Sequence, residues 1–165
     1  MKKFSLIVCV FAIVFSSCKN NKLVDVTVLP EQTQVGANTF GCLVDGYIYA
    51  GGRYADHLNG IERDHNSINF KYDTAAKTMN VIVKVQEDKN THIKFTINGV
   101  EKNVASQDCT FSNARFSQGY EDRGLVNLDS LGVVKISKMN YSEHIISGIF
   151  YGTRITEGRF DVHFE

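Results

Sequence analysis

From Asn38 onward, apolar side chains return at every second position, and that repeat restricts the chain to strands with one buried face each. In "SINFKY" the residues Ile68, Phe70 and Tyr72 share a face; in "NVIVKV" Val81, Val83 and Val85 do. Ile93, Phe95 and Ile97 follow in "HIKFTI", and Phe160, Val162 and Phe164 in "RFDVHFE". The opposite faces carry Asn69, Lys71, Lys84, Lys94, Arg159, Asp161 and His163, which this pattern assigns to water. "IISGIFYG" is apolar on both faces and reads as a strand covered on both sides. Asp45-Gly46 and Asn98-Gly99 each sit between β-rich arms and predict two-residue hairpins, because a type I′ turn needs positive φ at both central positions. The first pairs Val44 with Tyr47, Cys42 with Tyr49 and Phe40 with Gly51; the second pairs Ile97 with Val100 and Phe95 with Lys102. A third hairpin runs from "SINFKY" through "DTAAKT" into "MNVIVKV". No stretch of ten or more residues shows helical spacing with caps. The expected fold is all-β, an antiparallel β-sandwich of the Ig-like or a related kind, with a small antiparallel β-barrel as the alternative. The segments 51–66 and 112–130 read as long polar loops, where a binding surface belongs.

The other end of the chain supplies an address. Lys2 and Lys3 precede the apolar run "FSLIVCVFAIVF", which is followed by Ser16, Ser17 and Cys18. The run is shorter than the roughly 20 apolar residues a spanning helix needs, and it has the layout of a signal peptide. "FSSC" resembles the lipobox of bacterial lipoproteins, with Phe15 where that motif usually has Leu. By that resemblance residues 1–17 are removed, Cys18 becomes the first residue, and its sulfur carries diacylglycerol. Residues 18–37, which include the only proline, Pro30, read as a lipidated N-terminus and tether with an edge strand at 23–28; residues 38–165 read as one domain. The whole chain has 18 basic and 18 acidic residues, and loss of 1–17 takes two lysines, leaving a net charge of −2. Such a balance argues against nucleic acid, which needs clustered Lys and Arg to neutralise phosphates.

Little in the sequence points to catalysis. With Cys9 in the leader and Cys18 assigned to lipid, Cys42 and Cys109 remain, both on apolar faces. An export compartment permits a disulfide between them, and two buried thiols are an equally ordinary outcome. "ADHLNGIERDH" gathers Asp56, His57, Asp64 and His65, yet around Asn59-Gly60 these read as a solvated loop, without the regular spacing of metal ligands. "NLDSLG" at 127–132 lacks the repeated acids of a calcium loop and reads as a turn. His92, His144 and His163 stand singly. No nucleophile elbow, phosphate loop or zinc-protease motif occurs, and no cofactor is expected. There are 7 Tyr and 11 Phe but no Trp. Tyr49, Tyr54, Tyr120 and Tyr141 fall near turns; Tyr54 and Tyr120, within the two polar segments, are the candidates for stacking on a ligand.

Two segments look like more than generic sheet. "LPEQTQVGANTFGCLVDG" (29–46) resembles the opening "LPPxTQTGxNTFGCLVNG" of an uncharacterised lipoprotein family of Bacteroidota. "SLGVVKISKMNYSEHIISGIFYGTRITEGRFDVHFE" (130–165) resembles that family's closing pattern, "iiSGtFxF" followed by "itxGrFDv". Glu31 replaces a second proline, and Asn140 stands near the family's Asp. The resemblance implies a lipid-anchored, β-rich domain and imports no reaction. "CKNNK" lacks the acidic residues that resemble a surface-export signal in these bacteria, which favours the periplasmic face of the outer membrane. The expected role is non-enzymatic, structural or in protein interaction within the cell envelope; the alternative is a glycan or small-molecule binding module using 51–66 and 112–130.

Overall fold

The computed structural model describes residues 25, 27–58, 61–66, 68–85, 91–102, 104–118 and 123–165, with the side chains of all of these except 53–58, 61–66, 118 and 123–125. Among the described residues there are ten strands: β1 (Thr39–Val44), β2 (Tyr47–Leu58), β3 (Ile61–Asn66), β4 (Ile68–Asp73), β5 (Thr78–Val85), β6 (Thr91–Asn98), β7 (Gln107–Gln118), β8 (Arg123–Asn140), β9 (Ile145–Tyr151) and β10 (Ile155–His163). They form one antiparallel sheet in the order β3-β2-β1-β10-β9-β8-β7-β6-β5-β4. The sheet curls until its far side meets the chain that leaves β10: Tyr72 N donates to Glu165 O at 2.7 Å, and Glu165 N to Phe70 O at 2.8 Å. Of the two all-β architectures expected, the nearly closed barrel is the one adopted. Closing the sheet on itself buries one face of each strand without a second sheet.

Faces follow the period of two. Phe70, Val81, Val83, Val85, Ile93, Phe95, Ile97, Phe160, Val162 and Phe164 are all buried. The interior is a packed aromatic core: Phe150 lies 5.1 Å from Phe95, 5.3 Å from Phe40 and 6.2 Å from Phe160, and Phe160 lies 5.3 Å from Phe70. Asn69, Lys71 and Asn80 point outward and are exposed. Apolar-in and polar-out is the reverse of a transmembrane barrel.

The first hairpin matches its expected register at every pair, Val44↔Tyr47, Cys42↔Tyr49 and Phe40↔Gly51, with φ of 51° at Asp45 and 85° at Gly46. The β4–β5 hairpin also forms as read. The Asn98-Gly99 hairpin does not. Only Gly99 takes positive φ, and β6 pairs instead with β7, Ile97 opposite Phe111. Val100 turns into the core, its N–H bound to Lys77 O at 2.9 Å and its carbonyl to the Tyr72 hydroxyl at 2.9 Å.

The segments 51–66 and 112–130 are strands over most of their length, not loops. Register pairs Leu58 with Ile61, so Asn59-Gly60 alone joins β2 to β3, and the polar residues on both sides hid the alternation. Along β7 and β8 the register slips between Ala114 and Arg115 and again between Phe116 and Gln118. In β7 a further slip, against β6 between Ser112 and Arg115, shifts the inward positions from Cys109 and Phe111 to Ala114, so the repeat breaks within a continuous strand. "NLDSLG" accordingly lies inside β8. The expected edge strand at 23–28 is also absent from its described part, where Thr27 and Val28 form a turn in which Thr27 N bonds Asp25 Oδ1 at 2.9 Å.

Because Phe150 packs against four other rings, those of Phe40, Phe95, Phe111 and Phe160, Phe150→Ala is expected to remove about 3–5 kcal/mol of stability. Urea unfolding followed by circular dichroism measures it.

Candidate functional site

The chain from Leu29 to Asn38, read as tether as far as residue 37, lies across the outer wall of the barrel as a strap. Its anchor is Asp161 on β10, whose side chain is only 1% exposed. The Asp161 carboxylate accepts from Thr33 Oγ1 at 2.5 Å, Val35 N at 3.0 Å, Gly36 N at 2.9 Å, Ala37 N at 3.0 Å, and Ser147 Oγ of β9 at 2.6 Å. Placing Asp161 on a water-facing surface is therefore corrected, and so is Lys94, which is also buried. Burial alone raises the Asp161 carboxyl; the hydroxyls of Ser147 and Thr33 and the amides of Ala37 and Gly36 outweigh it and hold it below the ordinary carboxylate range. Fit along the strap is close. Gly36 has φ of 73°, and a Cβ there would meet the His163 ring at 2.5 Å, while Pro30 rests on the bare backbone of Gly41. Further along, Asn38 Oδ1 accepts from His163 N at 3.0 Å, and Lys138 Nζ donates to Gln34 O at 2.7 Å.

The strap forms one wall of an open groove of about 420 Å³. Glu31, Gln32, Thr33 and Gln34 line that side, Ser106, Gln107 and Asp108 the other, and Lys135, Ser137, Ile149 and Arg159 the floor. Gln107 is held by the preceding turn, accepting from Glu101 N and donating to the carbonyls of Glu101 and Val104, all at 2.7 Å. A smaller recess is lined by Tyr72, Thr74, Lys77, Glu101, Lys102 and Val104, with a 2.7 Å Lys77–Glu101 ion pair among its lining residues.

A second buried carboxylate, Asp129 on β8, holds the β9–β10 turn by accepting from Thr153 N at 3.1 Å, Arg154 N at 3.1 Å and Ile155 N at 2.9 Å. Arg154 then reaches the β1–β2 turn, its Nε and Nη2 on the two oxygens of Asp45 at 3.0 and 2.5 Å.

Among the described residues, those singled out in the sequence do not converge on one site. Cys18 and Tyr120 lie outside the described residues. Tyr54 is on β2 opposite His65, and the Asp56, His57, Asp64 and His65 set is spread along β2 and β3; their side chains are not among those described. Among the described residues no group of three or more His, Cys, Asp or Glu could hold a metal ion. Tyr49 packs on Phe116 at 4.9 Å at the core's rim, and Tyr141 lies under Lys102 Nζ at 5.3 Å and beside His144. Cys42 and Cys109 are buried, free thiols rather than a disulfide; they stand on β1 and β7, strands separated in the sheet by β10, β9 and β8. Burial pushes the Cys42 thiol up to about 12 and raises Cys109 as well, which disfavours the thiolate at both. Comparison with known proteins finds no matching family model, no matching curated protein and no matching solved structure.

Asp161→Asn is expected to lose about 3 kcal/mol, because an amide cannot accept all these bonds and brings donors of its own. The folded carboxyl titrates below its unfolded value, so the clamp contributes fully above the ordinary carboxylate range and is lost as pH falls through the folded value. Denaturation between pH 7 and 3 checks this: the variant's acid limb is flatter, and amides 35–37 exchange hydrogen faster. For the thiols, iodoacetamide at pH 8 is expected to leave Cys42 unmodified in the folded chain and to label both Cys42 and Cys109 in denaturant without reductant, as read by mass spectrometry.

Proposed function

We propose that the protein is a lipoprotein of the bacterial cell envelope whose barrel has a non-enzymatic, structural or protein-interaction role. A lipid on Cys18 holds it to the outer membrane, on the periplasmic face. The observation that carries the reading is the clamped strap. A signal-like leader followed by a cysteine calls for a leash between bilayer and domain, and the strap sets where the leash ends. Only ten residues lie between Cys18 and Leu29, so the barrel wall stays within about 40 Å of the anchoring sulfur. The interior is filled by side chains, and the two best-buried carboxylates hold chain segments in place. What the barrel offers a partner is its outer wall. There Val133 and Tyr151 stand opposite each other on β8 and β9, and Leu131 lies two residues from Val133 on the same face; these three are 36%, 41% and 63% exposed.

Growth with radioactive palmitate tests the anchor: label is expected on the full chain and absent from Cys18→Ala. Label retained by that variant overturns it. Protease added to intact cells is expected to spare the protein and to digest it once the outer membrane is permeabilised. Specific turnover of a substrate by the purified chain, lost on changing one groove residue, would sink the non-enzymatic reading.

A further inference from the structure

Three neighbouring strands each contribute one side chain to a single row on the floor of the groove. Lys135 of β8 lies opposite Ile149 of β9, and Ile149 opposite Arg159 of β10. Strands in a sheet are roughly 4.8 Å apart, so two cations bracket an aliphatic side chain across roughly 10 Å. Lys135 is exposed and makes no hydrogen bond or ion pair among the described residues. Arg159 donates from Nε to the Glu157 carbonyl at 3.2 Å, and its two terminal nitrogens reach the Pro30 carbonyl and the Glu157 carboxylate at 3.4 Å each, so the end of the guanidinium is the more loosely held part. In the same floor the β8–β9 register slips between Ile136 and Lys138, a bulge of the kind that collects beside binding sites. Glu31 and Asp108 also line the groove, Asp108 standing opposite Lys135 on the neighbouring strand β7.

We infer that this groove binds an acidic oligosaccharide, a short run of uronic acid sugars whose carboxylates meet Lys135 and Arg159. The aliphatic surface of Ile149 suits the C–H face of a sugar ring lying between the two charges. Carboxylates are pure acceptors, and those of Glu31 and Asp108 suit the hydroxyl donors along the edges of such a chain. An extended peptide fits less well: β8, β9 and β10 are each paired on both sides, so no strand edge is open to a peptide backbone. The inference does not rest on the lipid anchor, and its test is independent of where the protein resides.

Isothermal titration of the full chain in detergent micelles, against the trimers of galacturonic, glucuronic and mannuronic acid, measures it. At least one trimer is expected to bind saturably, and maltotriose not at all. Lys135→Gln, confirmed to unfold at the parent temperature, is expected to weaken binding about tenfold, and Lys135→Arg to restore most of it. Raised sodium chloride is expected to weaken binding of the parent. The inference is overturned if no acidic trimer binds, if maltotriose or tri-glutamate binds as tightly, or if Lys135→Gln leaves the affinity unchanged.

Discussion

A carboxylate can be taken out of water only where other donors replace the hydration it loses, and at Asp161 five donors do so, four of them from residues 33–37. Barrel and strap are therefore matched: the strap takes Asp161 out of water while replacing its hydration, and Asp161 supplies the acceptor for three consecutive amides of a nonrepetitive segment. Much else depends on this contact. The strap covers the outer side of β9, which is why Ile145 and Ser147 are buried there although they point away from the core. It also raises the wall that turns a stretch of sheet into a groove.

Asp129 applies the same device to a turn. The amides of Thr153, Arg154 and Ile155 converge on one carboxylate, which fixes Arg154 so that its guanidinium can take Asp45 with both oxygens. Two turns and β8 are thus tied by charge-assisted hydrogen bonds, whose geometry specifies position as well as strength. The acidic groups most withdrawn from solvent serve architecture, while Lys135, Glu31 and Asp108 keep their charges at the surface of the groove.

The period of two was readable wherever one face of a strand met the core and the ladder ran without interruption. Val81, Val83 and Val85 follow it, and the Asp45-Gly46 hairpin was legible to the residue. Gly148 relieves crowding in β9, where a Cβ would press on Lys135 O and the Phe160 ring. Three things were hidden. Bulges in β7 and β8 change the phase of the alternation, so continuous strand resembled loop. Whether a sheet closes on itself or packs on another depends on curvature and on the β4 contact with Glu165, neither of which leaves a local signature. Most consequentially, alternation says which way Asp161 points but not what covers it. The segments 29–46 and 130–165, at opposite ends of the domain, contain Thr33, Gly36, Ser147 and Asp161, which meet in this one clamp. For the groove, the Lys135–Ile149–Arg159 row exists only across strands and cannot be seen along the chain.

The place of β1 beside β10 has a kinetic consequence. Every other neighbouring pair in the sheet is adjacent in sequence, whereas Thr39 pairs with Asp161 across more than a hundred residues. Contacts of such separation carry a large loop-closure entropy and form slowly. A chain emerging from its N-terminus can build its local hairpins early, but it cannot seat the strap or zip the seam until residues 155–165 have been delivered. Until then it remains an unlocked string of hairpins, the state in which a polypeptide can still be threaded through a narrow channel, and the stroke that completes the barrel also ends its ability to be moved that way.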